Sequence, residues 1–360
     1  MGVVCTWETK RLELDVFHRN QVAVAGIHRR KDDEGLRKNN NFSSSLDDDD
    51  KGTTLVCVTS GVSYFGLALV NHLLVLGYSV RIIVDNPEEI EKLREMERDG
   101  KMRSNNINLE IIMAKVNDVE SLEKAFEGCF GVFHTSSFID PAGLSGYTKS
   151  IAEIEVSVTE NVMEACARTA SIKRCVFTSS LAACVWQHNS HSNVINHHSW
   201  SSESLCIDKK LWYALGKTRA EKVAWRIANE RGLKLTTICP ALITGPEFCL
   251  RNPTATIAYL KGAQEMYYNG LLATVDVKKV AEAHESVFKE MNGNASGRYI
   301  CYDNVIEGTS EVEKLAKEIG MPKDKICGVD ESNNSLHRFQ LSNDKLCRLM
   351  SRPLRCFSEY

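Results

Sequence analysis

Hydrophobic and polar positions change character near Thr53: beyond it short apolar runs alternate with segments of helical period, and before it the chain is polar and irregular. The run at 55–59 is rich in β-branched residues and predicts a buried strand. Residues 66–76 repeat apolar positions at helical spacing and stop at Gly77, a residue suited to ending a helix. A strand is predicted over 79–84, then a charged helix over 87–96 with Pro87 at its start. Further strands are predicted over 109–113, 131–134 and 174–178, with helices over 121–126 and 154–168 between them. A long helix over 211–231 leads into a strand over 234–239. Strands alternating with helices require crossover connections, so the pattern predicts an α/β fold, a doubly wound parallel sheet of the Rossmann type with both faces covered. After Pro240 the alternation weakens, as a smaller C-terminal substrate lobe would make it.

This division gives four stretches. Residues 1–52 read as a largely disordered N-terminal extension: a helix-like segment at 12–25, a polar tract at 39–45 and the acidic run 47–50 bury too little apolar surface to offset their ordering entropy. Residues 53–245 form the sheet core, 246–330 the substrate lobe with late core segments, and 331–360 a C-terminal tail. The tail carries His337, Arg338, Lys345, Arg348, Arg352 and Arg355, and reads as solvated and partly helical.

Composition narrows the classes. With 360 residues, 43% hydrophobic and 25% charged, and only 7 prolines, the chain is neither disordered nor collagenous. A formal net charge of −3 gives no electrostatic reason to expect a nucleic-acid partner. The longest apolar stretch, 66–77, is broken by Asn71 and His72 and falls short of the ~20 residues that a transmembrane helix needs. The 13 cysteines are odd in number, scattered and free of C-x-x-C pairs, which suits reduced thiols in a cytoplasmic protein. Met1 to Thr6 matches the N-myristoylation pattern at Gly2, with Cys5 as a second acylation candidate; so short a pattern also arises by chance. His188, His191, His197 and His198 lie close together without acidic or cysteine partners at ligand spacing, so no metal is expected.

The first strand-to-helix turn is where a doubly wound fold binds a dinucleotide. Here it reads Thr59, Ser60, Gly61, Val62, Ser63, Tyr64, Phe65, Gly66. Only Gly66 of the usual three glycines is in register, with Ser60 and Ser63 at the other two places. Leu67 and Ala68 replace the Lys-Ser/Thr of a phosphate-binding NTPase loop, which excludes that class. A second constellation is more specific. Ser180 follows the strand at 174–178, and Tyr213 and Lys217 lie four residues apart on one helical face. A lysine ammonium beside a phenol favours phenolate, and a strand-end hydroxyl could bond the same carbonyl oxygen that the phenol protonates.

With these features the sequence resembles the extended short-chain dehydrogenase/reductases, in particular the plant cinnamoyl-CoA reductase and dihydroflavonol reductase group. The resemblance runs from about residue 55 to 301 and includes 77–81 (GYSVR), 128–134 (GCFGVFH), 161–166 (NVMEAC), 176–180 (VFTSS) and 297–301 (GRYIC). It implies an NADP(H)-dependent oxidoreductase that reduces a carbonyl or acyl-CoA thioester of a phenylpropanoid-like small molecule through Ser180, Tyr213 and Lys217. The cofactor contacts it implies are Thr59, Ser60, Gly61, Ser63, Tyr64, Phe65, Gly66, the position of Asp85, His134, Ser136, Tyr213, Lys217 and Pro240. Trp200 and the aromatic residues of 242–268 (Phe248, Tyr259, Tyr267, Tyr268) are expected around the acceptor.

The chain departs from the group at Ser60 and Ser63, where glycine is usual, at Asp85, where arginine pairs with the 2′-phosphate of NADP, and at Lys115, where aspartate contacts adenine. The group's N-W-Y-C-Y-G-K is here Leu211, Trp212, Tyr213, Ala214, Leu215, Gly216, Lys217. Asp85 stands 19 residues after Gly66, where an acid accepts from a free ribose 2′-hydroxyl, so NAD(H) gains over NADP(H). The alternative reading is a non-catalytic dinucleotide-sensing or interaction protein with a relic site.

Overall fold

The computed structural model describes residues 54–102, 108–135, 147–188, 192–328 and 339–351. The expectations for the N-terminal extension, Gly2, Cys5, Ser136, His191, and His337, Arg338, Arg352 and Arg355 of the tail fall outside these residues.

Seven strands, β1 (Leu55–Val58), β2 (Ser79–Val84), β3 (Leu109–Met113), β4 (Gly131–His134), β5 (Arg174–Thr178), β6 (Lys234–Pro240) and β7 (Gly297–Cys301), form one parallel sheet in the order 7-6-5-4-1-2-3. Strand order reverses between β1 and β4, so the crevice for a ligand opens at the C-terminal ends of these two strands. Within each strand neighbouring side chains enter opposite layers. Val56, Val58, Phe133 and Val176 join one core; Cys57, Val132, Cys175 and Phe177 join the other.

The long helices are α1 (Tyr64–Val75), α2 (Pro87–Arg98), α3 (Val119–Phe126), α4 (Lys149–Arg168), α5 (Trp212–Arg231) and α6 (Val277–Glu290). Several begin earlier than their apolar period suggests, because polar caps start them. Ser63 caps α1, Asp118 caps α3 and Thr148 caps α4, each side chain accepting a first-turn N–H. Gly77 sits just past the end of α1 with φ of 88°, the left-handed geometry expected of it.

Helix α6 locks onto the sheet through Phe288, whose ring meets Phe133 at 4.8 Å. A Cβ at Gly131 would come within 2.4 Å of Phe288, so only glycine admits that ring. The Arg174 guanidinium lies over Phe288 at 4.8 Å and donates to its carbonyl at 2.6 Å.

After β6 the chain builds a small sheet from Leu242–Thr244, Ala273–Asp276 and Asn304–Val305, beside short helices at Phe248–Arg251, Pro253–Tyr259 and Ala263–Tyr268. This smaller lobe shares one hydrophobic cluster with β1 and α1. The described part of the tail is partly helical, as expected, but packed rather than solvated. Gln340–Leu341 pairs in parallel with Val194–Ile195, and helix α7 (Asp344–Met350) buries Leu346. Lys345, read from sequence as part of a solvated basic stretch, donates to the carbonyl of Arg298 at 3.1 Å and lies over the Tyr299 ring. Its ammonium thus has two partners on β7, which helps hold 339–351 against the core. Among the described residues every cysteine is free and most are buried, and no helix is long and apolar enough to cross a membrane.

Candidate active site

The turn between β1 and α1 is tight and held by its own serines. A Cβ on Gly66 would lie 1.9 Å from the Ser60 carbonyl oxygen, so glycine is obligatory there. Ser63 Oγ accepts from Gly66 N at 3.0 Å and donates to the Ser60 carbonyl at 2.7 Å. The Ser63 hydroxyl is thus engaged in closing the turn. What the turn still presents is the N-terminus of α1, with its uncompensated dipole and backbone N–H groups.

At the end of β4, Thr59 and His134 share a hydrogen bond of 2.9 Å. Burial, and the nearby Lys217 ammonium, push the His134 imidazole down to about 3, so it is neutral. His134 Nε2 and Thr135 Oγ1 are buried polar atoms without a protein partner among the described residues. Buried polar groups are normally satisfied, so this edge suits a ligand that brings hydrogen-bonding groups of its own.

The opposite end of the crevice is acidic. Asp85 ends β2 in an exposed position, and its N–H donates to Glu89 Oε2 at 2.8 Å. Burial raises the Glu89 carboxyl, with the hydrogen bond from the Asp85 N–H acting against it. Two carboxylic groups at this corner suit a ribose hydroxyl and oppose a phosphate dianion. The tight turn, the helix N-terminus and the open polar edge fit a dinucleotide; the corner at Asp85 fits one without a 2′-phosphate.

Ser180, Tyr213 and Lys217 converge beside this crevice. Ser180 is buried just after β5, where its hydroxyl accepts from Ala182 N at 3.2 Å, and its proximity to the Tyr213 phenol favours phenolate. Lys217 Nζ lies 5.7 Å from the Tyr213 ring centroid. Burial is the larger effect on Tyr213 and raises its phenol above the usual value, with Lys217 and Ser180 acting against it. The cleft beside them has a free volume of about 70 Å³. Its walls include Phe65, Thr135, Tyr213, Lys217 and Pro240 on the crevice side, and Ile243, Asn252, Thr256 and Tyr259 from the smaller lobe.

Some expected residues are elsewhere. Trp200 stacks under the Arg298 guanidinium at 3.6 Å, outside the cleft, because Arg298 offers a cation to its ring. Tyr267 donates to the Glu307 carbonyl, Tyr268 is largely exposed, and Phe248 lines a separate hollow. Tyr259 alone of those four aromatics reaches the cleft.

Two acidic residues at the site escaped sequence reasoning. Glu221, with no exposed surface, accepts from Ser179 Oγ (2.7 Å), Thr237 Oγ1 (2.6 Å) and Arg298 Nε (2.7 Å). It thereby fixes the residue just before Ser180. Glu155, on α4, lies 2.5 Å from Lys217 Nζ and bonds the Tyr147 hydroxyl. Gly216 permits that approach, since a Cβ there would come within 2.7 Å of the Tyr147 hydroxyl and 3.1 Å of the Ala152 Cα. A signal for Glu221 was available: Tyr213, Lys217 and Glu221 recur at four-residue spacing on one face of α5. On the neighbouring strand end, Thr178 Oγ1 bonds His284 Nε2 at 2.8 Å while His284 Nδ1 faces the Val280 carbonyl. The carbonyl can only accept, so the proton is assigned to Nδ1 and Thr178 donates to Nε2.

Comparison with known proteins places this site in context. The model of the 3-beta hydroxysteroid dehydrogenase/isomerase family matches residues 57–326. Cinnamoyl-CoA reductase 2 of Medicago truncatula is 35% identical over 302 residues, covering 82% of this chain and 85% of that protein. Tetraketide alpha-pyrone reductase 1 of Arabidopsis thaliana is 32% identical over 258 residues, covering 70% and 77%. Among solved structures, vestitone reductase from alfalfa (Medicago sativa L.) superposes with a TM-score of 0.59 at 22% identity, covering 82% of this chain and 91% of that one. Yeast methylglyoxal/isovaleraldehyde reductase Gre2 complexed with NADPH gives 0.62 at 20% identity, covering 83% and 94%.

Proposed function

The chain belongs to the 3-beta hydroxysteroid dehydrogenase/isomerase family, and on that premise we propose that it is an NAD(P)H-dependent reductase of a phenylpropanoid-like carbonyl or acyl-CoA thioester. The observation that carries the reading is the placing of Tyr213 and Lys217 together in the wall of the cleft, with Ser180 buried just past the end of β5. Relatives named as cinnamoyl-CoA and tetraketide alpha-pyrone reductases support the substrate class. The cleft supports it too: Ile243 and Tyr259 give flat apolar contact, while Asn252 and Thr256 give polar ends for an oxygenated ring.

When bound, the dinucleotide supplies the hydride. Tyr213 donates its proton to the acceptor oxygen as negative charge develops there, and Ser180 bonds the same oxygen. Lys217 stabilises the phenolate left behind and holds the ribose. Thr135 and His134, whose buried polar atoms have no protein partner among the described residues, would offer the dinucleotide polar contacts, and the N-terminus of α1 would hold its pyrophosphate. NADP(H) is the cofactor that the family resemblance implies, and Asp85 and Glu89 shift the balance towards NAD(H). Free, mostly buried thiols support a reducing compartment, the cytoplasm in this reading.

The test follows NADH and NADPH oxidation with cinnamoyl-CoA esters, aldehydes and dihydroflavonols, alongside direct titration of both dinucleotides. Turnover with one of these classes supports the proposal. Failure to bind either dinucleotide below millimolar concentration would overturn it in favour of an interaction protein with a relic site.

A further inference from the structure

Glu155 brings a carboxylate into a site whose chemistry needs only a phenol, a hydroxyl and an ammonium. It is 3% exposed, and Lys217 is 4% exposed, so the contact of 2.5 Å between them is a buried ion pair. The second carboxylate oxygen bonds the hydroxyl of Tyr147, whose ring meets that of Tyr213 edge-on at 5.2 Å. The carboxylate is thus fixed from two sides and stands one ammonium away from the phenol. A helix carries such a charge into an interior only where a partner compensates it.

We propose that Glu155 is a positioning residue that neutralises Lys217 and thereby keeps Tyr213 protonated, the form that donates to a carbonyl oxygen. An isolated ammonium beside Tyr213 would favour phenolate, whereas an ammonium already paired presents little net charge. The groups facing Tyr213 act in opposite directions. From its own helix come Lys217, which lowers the phenol, and Glu221, whose field acts on Lys217; from the end of β5 comes Ser180, which also lowers it. From α4 and its approach come Glu155, which raises the phenol, and Tyr147, itself raised by burial and by Glu155. From β4 comes the neutral His134, and from Pro253–Tyr259 the buried, neutral Tyr259. Lys217 is the sole cation in this set, and Glu155 is bonded to it directly.

The inference rests on reading Tyr213 as the proton donor, but its test does not require turnover. In the full chain without ligand, the Tyr213 phenol is titrated by ultraviolet difference absorbance against Tyr213→Phe, which removes the signal of the other tyrosines. Glu155→Gln is expected to lower the Tyr213 midpoint by about one pH unit, a roughly tenfold rise in phenolate at fixed pH. The double variant Glu155→Gln/Lys217→Met leaves neither charge buried alone and is expected to titrate with the wild type. A Glu155→Gln curve that coincides with the wild type overturns the proposal. So does a double variant whose midpoint rises by about a unit, as it must if Lys217 acts uncompensated. With an accepted substrate in hand, the alkaline limb of the reduction rate in Glu155→Gln moves down in step with the titration.

Discussion

Replacing Glu221 by glutamine removes a fully buried carboxylate that joins three elements, β5, β6 and β7, to helix α5. Its oxygens receive Ser179 Oγ at 2.7 Å, Thr237 Oγ1 at 2.6 Å, and Arg298 Nε and Nη2 at 2.7 and 3.1 Å. Glutamine keeps one acceptor oxygen but turns an N–H₂ group towards donors, and it leaves the guanidinium without a counter-charge. Summing hydrogen bonds to charged groups would overestimate the loss, because the remaining oxygen still accepts. The better measure is the breaking of a buried ion pair from one side, about 3–5 kcal/mol. In a chain of this size that corresponds to a fall in Tm of roughly 4–7 °C. The assay is urea unfolding followed by circular dichroism, with thermal melts in parallel. The double variant Glu221→Met/Arg298→Met removes both charges and recovers much of the loss, since paired replacement by apolar side chains is far less costly. A loss below about 1 kcal/mol in Glu221→Gln would refute the assignment of Glu221 as the counter-charge that joins these elements.

Two further predictions concern charge. Asp85→Arg replaces a carboxylate by a phosphate-binding guanidinium and should shift preference towards NADPH over NADH by at least about tenfold, roughly 1.4 kcal/mol, in Kd or kcat/KM; an unchanged ratio would place the 2′ corner elsewhere. Burial holds His284 at about 4 and His134 at about 3, against 6.5 for a free imidazole, so the unfolded chain takes up their protons at a pH where the folded chain does not. Their contribution to stability is complete above about pH 6.5 and is lost as pH falls from there towards 4, by about 1.4 kcal/mol per pH unit for each. Urea midpoints from pH 7 to 4 should show a shallower decline in His284→Gln than in the wild type, and parallel curves would count against a neutral, buried His284.

Much of the core was legible because burial on both faces writes itself into the chain. The strands over 79–84, 109–113, 131–134 and 174–178 have the ends that their apolar runs predict. Helix starts were less legible: the turns opened by Asp118 and Thr148 are polar on their outer faces, and their starting signal is a cap rather than a period. Ser180, Tyr213 and Lys217 could be found because a strand end and a four-residue helical spacing are local features. Glu155 could not be found that way, and Glu221, although it shares the four-residue spacing, carries no local sign of its burial. Each lies in mid-helix, where an acid ordinarily faces water, and their partners Lys217 and Arg298 are distant in sequence. The tail misled for a related reason: a short basic stretch looks solvated until β7 supplies the carbonyls and the ring that Lys345 occupies.

The central claim is that Tyr213 supplies the proton in a dinucleotide-dependent reduction. A single-turnover experiment tests it, with Tyr213→Phe and the wild type each mixed with saturating dinucleotide and an accepted carbonyl substrate, and dinucleotide Kd measured separately. Loss of a general acid should slow the hydride step by about 10²–10⁴-fold while leaving Kd within a small factor. A Tyr213→Phe protein that binds the dinucleotide normally and reduces substrate at close to the wild-type rate would contradict the account.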